Sequence, residues 1–450
     1  MGPIRRQLLD MILRDDRYDL PDASLAALRL EAARELFAER REQIPVLRRR
    51  AEESGVDEIR NFDDLVPLLF SHTVYKSYPQ NLVDQGKWQA LGRWLKTLSV
   101  EDPTGVDVTG VQNVDDWIDR MRNAGHLLLA TSGSSGKCSF LNSTRGDLEL
   151  KTRHFAHMLG WPRLKPANDR PVFQLGPSDG PNSAIEAARI CAAVWGRPGS
   201  VYFLTDEPLR ISDVSAMAAM RKRMADGLAT PQEIADLERR GAEQGARMQE
   251  ALNQLVDTIL AHRHEPIVLS GLWAQHMAII RRARELGIPD GAFHPLSYIS
   301  AGGGVKGVSL PDDFKEQVDR FWGPVIRGTG YGMTEQAQVL PRCEEFRYHV
   351  PPGLIMLLLD QPGEKLIAPP VGSAGVVEGR FAFLDLLYEG RWGGLISGDK
   401  VQVDFSERCP CGRHGPTILD TIVRYTQVTG GDDHIGCAGT IDAYVRGAMT

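Results

Sequence analysis

Residues 325–335 read Val-Ile-Arg-Gly-Thr-Gly-Tyr-Gly-Met-Thr-Glu, a short apolar strand that runs directly into a glycine-rich turn. Upstream, segments with the spacing of strands alternate with segments that have the spacing of helices. Strands are predicted at 266–269, 296–300 and 325–327, and helices at 273–286 and 314–321. This alternation is typical of an α/β domain whose strands run parallel. The sequence therefore predicts an α/β fold with sheets packed by helices.

A second glycine-rich stretch, Thr-Ser-Gly-Ser-Ser-Gly-Lys at 131–137, follows the apolar run 126–130. Its glycines let the backbone approach an anion closely, and its successive N–H groups can form a concave nest. The stretch is not a Walker A loop, because only two residues separate its glycines where that motif has four. A flexible Gly/Ser linker is the alternative. The strand before it and the positive charge of Lys137 favour a phosphate-binding loop.

Four motifs in a fixed order carry a resemblance to a known family. The loop at 131–137 is followed by Tyr-Gly-Met-Thr-Glu at 331–335, Ser-Gly-Asp at 397–399 and Arg424. Their order and approximate spacing resemble those of the adenylate-forming superfamily of acyl-CoA synthetases and their relatives. This resemblance implies a large, mixed-sheet adenylate-forming domain that uses ATP and Mg²⁺ to activate a carboxylic acid. Taken alone, Ser-Gly-Asp would indicate an ordinary turn, and Glu335 an ordinary start of a helix.

The resemblance also implies a role for each motif residue. Attack of a carboxylate on the α-phosphate brings two anions together, so backbone donors, a cation and a metal ion must offset the repulsion. The residues implied for the β- and γ-phosphates are Thr131, Ser132, Gly133, Ser134, Ser135, Gly136 and Lys137. Those implied for the rest of the reaction are Gly302, Gly303, Gly304 and Tyr331 for adenine, Gly332 and Met333 for the acid, Thr334 for the α-phosphate, Glu335 for Mg²⁺, Asp399 for the ribose hydroxyls, and Arg424 for the ribose or phosphates.

A set of cysteines and one histidine lies outside these motifs. Cys343 and His349 are close in sequence, and Cys409 and Cys411 form a Cys-Pro-Cys segment. Three thiolates and one imidazole suit a closed, tetrahedral, structural zinc site. The same set resembles the phenylacetate-CoA ligase branch of the superfamily, some of whose members carry such a zinc. Two alternatives stay open, namely unrelated reduced cysteines and a redox pair of Cys409 with Cys411, while His414 is a spare ligand candidate expected at the surface.

The segment after Arg424 departs from the superfamily pattern. Ordinary members continue into a mobile C-terminal domain with a catalytic lysine, whereas residues 425–450 contain no lysine. We therefore expect that domain to be absent or vestigial. A short end of this kind resembles the acyl-protein synthetase of bacterial bioluminescence systems, which takes the acyl group on a cysteine near its own C-terminus. Cys437 is the counterpart by position, with His434 nearby to activate its thiolate; a small buried cysteine is the alternative.

Three regions are expected along the chain, a helical one at 1–60, an adenylate-forming core at 61–424 and a tail at 425–450.

Composition limits the class of protein. Hydrophobic residues make up 42% of the chain and charged residues 25%, which is typical of globular proteins. The net charge of −7 argues against a nucleic-acid partner. No apolar stretch reaches the length of a membrane span, and no secretory signal is recognised, so a cytoplasmic location is expected.

Three functions stay open at this point. The first is an acid–thiol ligase that forms an acyl-adenylate, releases pyrophosphate and passes the acyl group to Cys437 or to a partner such as an acyl-accepting protein or a reductase. The second is an acid–CoA ligase, and the third is a catalytically weak nucleotide- or acyl-binding protein. Phe173, Trp273 and Met333 are expected to give the acid pocket apolar walls, which suits a fatty or aryl acid. The N-terminal helices either cover this pocket or mediate a homodimer.

Overall fold

The computed structural model describes residues 1–131, 137–302, 309–369, 371–373, 375–430 and 435 of the 450-residue chain. The chain divides into two compact units. Unit 1 consists of Met1–His154 and Gly330–Thr450, and unit 2 of Phe155–Thr329. The domain boundaries expected near residues 60 and 424 stay predictions.

Several helices begin where the sequence offers a cap or a proline. Asn113 accepts hydrogen bonds from the amides of Asp115 and Asp116, and Thr230 forms a capping box with Glu233. In the described part of the chain, no helix is both long enough and apolar enough to cross a membrane. The described α-helices are α1 (Pro3–Ile12), α2 (Asp22–Gln43), α3 (Pro45–Ser54), α4 (Asn81–Asp84), α5 (Trp88–Lys96), α6 (Val114–Asn123), α7 (Arg145–Met158), α8 (Ser183–Trp195), α9 (Ile211–Ala225), α10 (Pro231–Ala261), α11 (Trp273–Glu285), α12 (Phe314–Trp322) and α13 (Tyr425–Thr429).

The strands are short at the two glycine-rich motifs. The long strands β13 and β14 are almost wholly buried along half of their length, because both of their faces are covered there. The described strands are β1 (Phe70–Ser71), β2 (Leu129–Thr131), β3 (Ser139–Leu141), β4 (Arg170–Pro177), β5 (Gly196–Thr205), β6 (Val268–Leu272), β7 (Tyr298–Gly302), β8 (Ile326–Arg327), β9 (Gly330–Tyr331), β10 (Leu340–Pro341), β11 (Arg347–His349), β12 (Leu354–Leu359), β13 (Val376–Asp385), β14 (Gly394–Asp404), β15 (Thr417–Leu419) and β16 (Val423–Arg424).

Unit 1 is built on a seven-stranded sheet with β14 near its centre. The order is β11-β15-β14-β13-β12, and β1 and β16 also pair with β14. All pairs are antiparallel except that of β1 with β14. The register places Asp399 of β14 directly opposite Arg424 of β16. Two small hairpins, β2 with β3 and β9 with β10, complete the strands of this unit.

Unit 2 has a five-stranded sheet in the order β5-β4-β6-β7-β8. Every neighbouring pair is parallel, which confirms the prediction made from the alternation of strands and helices. The strands and helices predicted between 266 and 327 are all present, as β6, α11, β7, α12 and β8. The core is apolar and includes Phe173, Ile259, Ile279 and Phe321.

One histidine lies in the core of unit 2. His276 of α11 is fully buried, and its Nε2 donates to the carbonyl oxygen of Ser300 at 3.2 Å. Its Nδ1 accepts a hydrogen bond from the indole N–H of Trp322 at 3.0 Å, so the ring is neutral. Burial lowers the pKa of His276 to about 4. The imidazole therefore joins α11, β7 and α12 only in its uncharged form.

This burial predicts a loss of stability in acid. Below pH 6.5, the ordinary pKa of histidine, His276 is protonated in the unfolded chain but stays neutral in the folded chain. The free energy of unfolding therefore falls as the pH drops from 6.5 towards 4. The expected loss is about 3 kcal/mol. Urea unfolding of the wild type and of His276→Gln, followed from pH 7 to pH 4, tests this. The His276→Gln variant should have a lower free energy of unfolding than the wild type at pH 7 and a smaller decrease between pH 7 and pH 4. Equal decreases in the two proteins would contradict this prediction.

Candidate active site

The motif at 331–335 forms the loop of a hairpin in unit 1. Tyr331 pairs with Leu340, so residues 332–339 connect β9 to β10. A β-carbon added at Gly332 would lie only 2.7 Å from a methyl group of Val339, so a glycine is required at this position. Met333 and Gln336 close a turn within the loop, with the amide of Met333 donating to the side-chain oxygen of Gln336 at 3.1 Å. The loop therefore presents Thr334 and Glu335 in a fixed turn.

A buried carboxylate anchors the far side of this loop. Oδ2 of Asp385 accepts hydrogen bonds from the amides of Ala337 and Gln338 at 2.9 and 3.1 Å. Its Oδ1 accepts from the side-chain amide of Gln338 at 2.8 Å. Burial raises the pKa of Asp385, and these hydrogen bonds oppose the rise. Asp385 is the last residue of β13, so the sheet itself holds the loop.

Tyr331, Asp399 and Arg424 form one connected group. The hydroxyl of Tyr331 donates to Oδ2 of Asp399 at 2.8 Å, and Nε of Arg424 lies 3.0 Å from Oδ1. The amide of Asp399 donates to the hydroxyl of Ser397, which in turn donates to a backbone carbonyl oxygen of β13. Burial raises the pKa of Tyr331 well above its ordinary value, and the charge of Asp399 adds to the rise. Three of the predicted site residues therefore share one buried carboxylate.

Thr334 and Glu335 lie beside a buried arginine. The carbonyl oxygen of Thr334 accepts a hydrogen bond at 3.1 Å from Nη2 of Arg391. Burial raises the pKa of Glu335, and the positive charges of Arg391 and Arg424 oppose this rise. The charges of Arg391, Arg424 and Asp399 therefore all act on the Glu335 carboxylate. A carboxylate in such surroundings favours a cationic partner.

The phosphate-loop candidate is described only at its two ends. Thr131 ends β2 and pairs with Ser139 of β3. The ammonium group of Lys137 donates to the carbonyl oxygen of Tyr78 and lies 4.5 Å from the centre of that tyrosine ring. The hydroxyl of Tyr78 donates to the carbonyl oxygen of Cys138 at 2.9 Å. The hairpin therefore holds both ends of the loop in unit 1.

Several predicted site residues lie outside the described part of the chain. The predicted residues that fall outside the described ranges are Ser132, Gly133, Ser134, Ser135, Gly136, Gly303, Gly304, His434 and Cys437. Gly302 is described and ends β7 in unit 2.

The four predicted zinc ligands come together in unit 1. The ligand atoms of Cys343, His349, Cys409 and Cys411 all lie within 4.8 Å of one another. The Sγ atoms of Cys343 and Cys409 are 3.9 Å apart, and Sγ of Cys411 is 3.4 Å from Nε2 of His349. Three of the four side chains are buried. His414, the spare candidate, is not a member of the cluster.

Two tight turns present these sulfur atoms. The amide of Cys343 donates to the carbonyl oxygen of Arg347, and the amide of Cys409 donates to that of Arg413, both at 2.9 Å. The hydrogen bond with Cys409 lowers the pKa of the Cys343 thiol, while the same contact raises the pKa of Cys409. The donor set of three sulfurs and one imidazole nitrogen fits Zn²⁺.

Three buried charged residues that support the site belong to none of the sequence motifs. Asp385, Asp147 and Arg391 bind backbone groups of segments far away in the sequence. A signal for Asp385 exists, since it is the one charged residue in the apolar run 381–388. Charged residues in such runs are usually paired or hydrogen-bonded. Asp147 and Arg391 lie among other polar residues and carry no comparable signal.

The Tyr331 hydroxyl gives a direct test of the Asp399 group. Tyr331→Phe removes one hydrogen bond from a buried carboxylate, so the free energy of unfolding is expected to fall by about 2 kcal/mol. Tyr348→Phe is a matched control, because its hydroxyl donates to Asp420 at 2.7 Å and that carboxylate is 41% exposed. Urea unfolding of both variants should show the smaller loss for Tyr348→Phe. Equal losses would mean that Asp399 does not depend on Tyr331.

Comparison with known proteins supports the fold. No protein-family model matches the sequence, and no curated protein matches it. A crystal structure of an open conformation of 2-hydroxyisobutyryl-CoA ligase, in complex with 2-HIB-AMP and CoA, is similar over 91% of this chain and 76% of its own, with a TM-score of 0.52 and 15% identity. The crystal structure of VinN has a TM-score of 0.37 and 12% identity over 64% of this chain and 59% of its own, which is too distant to support an inference. The chain therefore has the α/β fold of an adenylate-forming ligase.

Proposed function

We propose that this protein is an ATP-dependent ligase that converts a carboxylic acid into an acyl-adenylate, releases pyrophosphate and then passes the acyl group to a thiol. The observation that carries the proposal is the convergence of Tyr331, Asp399 and Arg424 on one carboxylate group, with Glu335 nearby. These residues come from three separate motifs. In a protein with this fold, their proximity supports a nucleotide site rather than three unrelated turns.

Asp399 is the proposed partner of the ribose. A carboxylate can accept hydrogen bonds from two neighbouring hydroxyl groups at once. Its two oxygens are engaged by Tyr331 and Arg424, so a ribose must displace or share these contacts. The Arg424 side chain is 56% exposed and can move towards the phosphates without leaving a buried gap. Tyr331 is then available to pack against the adenine ring.

The phosphates are the proposed ligand of the 131–137 loop. Lys137 supplies a positive charge and the loop supplies backbone N–H groups, which together offset the repulsion between the attacking carboxylate and the α-phosphate. Glu335 is the proposed Mg²⁺ ligand, and bound Mg²⁺ would supply further positive charge beside the phosphates. Thr334, which precedes it, is the proposed hydroxyl donor to the α-phosphate. Each of these assignments follows the motif resemblance.

CoA is the acceptor that we propose first. The similar solved protein is a CoA ligase crystallised with CoA, which supports this choice. Transfer to Cys437 is the second candidate, based on the resemblance to the bioluminescence acyl-protein synthetase. The acid is proposed to be small, fatty or aryl. We also propose a structural Zn²⁺ bound by Cys343, His349, Cys409 and Cys411, since their donor atoms are already gathered.

Product analysis tests this function. The protein is incubated with ATP, Mg²⁺ and a panel of hydroxy, fatty and aromatic acids, and the reaction is analysed by mass spectrometry. Acyl-adenylate should accumulate without an acceptor and be consumed when CoA is added. An acyl group that stays on the protein, is released by hydroxylamine and is lost in Cys437→Ser would favour the second acceptor. Binding of ATP with no acyl-adenylate from any acid would favour a catalytically weak nucleotide-binding protein.

A further inference from the structure

We propose that Arg391 is a positioning residue for adenylation, which holds the Thr334–Glu335 turn at a fixed distance from the hairpin of the phosphate loop. This inference rests on the function proposed above. Arg391 belongs to none of the sequence motifs. Its guanidinium group is almost fully buried, with 1% of the residue exposed. A buried guanidinium is costly unless its N–H groups are satisfied, so its contacts are informative.

The guanidinium group connects two loops that are distant in sequence. Nη2 donates to the carbonyl oxygen of Thr334 at 3.1 Å, and Nη1 donates to that of Asn142, also at 3.1 Å. Asn142 directly follows β3, whose other end pairs with Thr131 at the start of the phosphate-loop candidate. One planar group therefore ties the Mg²⁺-ligand candidate to the phosphate-loop hairpin. The rigid fork of an arginine can do this, while the single point charge of a lysine cannot match both carbonyl directions equally.

The surroundings leave Arg391 little freedom. Its guanidinium lies 4.0 Å from the centre of the Tyr388 ring and 5.7 Å from that of Tyr75, and it donates to the Tyr388 hydroxyl. Two aromatic rings and three acceptors thus define its position. A group that is held in place before the substrate binds does not have to be ordered during the reaction.

The backbone beside Arg391 is fixed as well. The amides of Glu389 and Gly390 donate to the carboxylate of Asp147 at 2.7 and 3.1 Å. Asp147 lies in the first turn of α7 and also accepts from the amide of Thr144 at 2.8 Å. The contacts of Arg391 and Asp147 therefore connect the segments that follow β3 and β13 to the loop at 332–339. Of these three, the loop at 332–339 carries predicted site residues, and the segment after β3 is joined through that strand to the hairpin of the phosphate-loop candidate.

The charge of Arg391 fits the same role. The negative charges of Asp147 and Glu335 act on its guanidinium group and favour its charged form. Arginine stays protonated in proteins, so the site keeps a permanent positive charge next to the carboxylate that is proposed to bind Mg²⁺. Removing this charge and the hydrogen bond to Thr334 should change the position of the Thr334–Glu335 turn relative to bound Mg²⁺ and the phosphates. Residues that orient metal ligands in this way typically affect metal affinity or activity by about 10- to 100-fold.

The test separates the two halves of the reaction. Wild type, Arg391→Met and Arg391→Lys are compared in pyrophosphate release at varied Mg²⁺ and ATP, using the most active acid of the panel. The same proteins are then given the corresponding synthetic acyl-adenylate, and transfer to CoA is measured, because this half needs neither Mg²⁺ nor the triphosphate. Circular dichroism shows that each variant is folded.

Arg29→Met is the matched control. Arg29 is also a buried arginine, and its guanidinium donates to the carbonyl oxygens of Pro351 and Pro352 at 3.0 Å each. Its loss should reduce stability and leave the Mg²⁺ dependence of pyrophosphate release unchanged.

The expected result for Arg391→Met is a fall of about 10- to 100-fold in pyrophosphate release, with a higher Mg²⁺ concentration for half-saturation. Acyl transfer from the synthetic adenylate to CoA should stay within about twofold of wild type, because this half-reaction needs neither Mg²⁺ nor the triphosphate. Arg391→Lys should recover part of the loss. If both half-reactions fall together in the folded lysine variant, or if neither changes, Arg391 is a structural residue and the inference is wrong. A wild type that forms no acyl-adenylate would instead contradict the proposed function.

Discussion

Cys409→Ser is expected to lower the free energy of unfolding of unit 1 by about 5 kcal/mol and to release bound zinc. Structural zinc contributes about 10–16 kcal/mol of binding free energy in small zinc domains, so the loss of one of four ligands removes a large part of it. Cys409 is buried, and its sulfur lies 3.9 Å from that of Cys343. Urea unfolding and elemental analysis of the purified proteins measure the two effects. The wild type should contain about one zinc ion per chain.

Cys191→Ser is the control for this prediction. Cys191 is equally buried, in unit 2, and burial raises the pKa of its thiol to about 12. This substitution should cost stability without changing the zinc content. Wild-type protein that holds no zinc after metal-replete purification, together with equal losses for the two variants, would support the alternative of unrelated reduced cysteines. A disulfide between Cys409 and Cys411 in the native protein would support the redox pair.

Glu335→Gln is expected to reduce pyrophosphate release by about 100-fold or more, the size of effect seen when one group that stabilises transition-state charge is removed. The amide has nearly the same shape as the carboxylate, so the change removes the negative charge that is proposed to bind Mg²⁺ and leaves the turn in place. Because burial raises the pKa of Glu335, the neutral amide should also be tolerated without loss of stability. Rates measured across a range of Mg²⁺ concentrations test both points.

Glu378→Gln provides the comparison for Glu335→Gln. Glu378 lies on β13, its side chain is 48% exposed, and it forms an ion pair with Lys400 at 2.6 Å. Its replacement should change neither the rate nor the Mg²⁺ dependence, since exposed ion pairs contribute little. If Glu335→Gln keeps most of the wild-type rate, Glu335 does not hold the metal ion, and another carboxylate must be sought.

Local pattern was sufficient for part of unit 2. Strands and helices alternate between residues 266 and 327, so periodicity predicted the parallel strands β6, β7 and β8, while β4 and β5 of the same sheet were not predicted. Unit 1 is different, because its sheet pairs β1 with β14 across more than 300 residues. Such a contact depends on tertiary packing, and the local spacing of apolar residues carries no information about it. The assembly of unit 1 from two separate segments therefore could not be predicted from the sequence.

The candidate site shows the same division. Tyr331, Asp399 and Arg424 were predicted together because each belongs to a motif, and the structure brings them together. Arg391 and Asp147 were missed because their partners are backbone groups, which leave no residue type to recognise at the other end. The zinc-ligand candidates are intermediate between residues that a motif identifies and residues that have no signal in the sequence. Their side-chain chemistry identified them, although the two turns that carry them are more than 60 residues apart.

Acid-dependent pyrophosphate release by the wild type and by Asp399→Ala, with ATP and Mg²⁺, tests the central claim most directly. Asp399 is 4% exposed and is the common partner of Tyr331 and Arg424, so its loss removes the proposed ribose site. The account predicts release that requires a carboxylic acid and disappears in the variant. Release that is unchanged in a folded Asp399→Ala variant, or no release from any acid by wild-type protein that binds ATP, would contradict it.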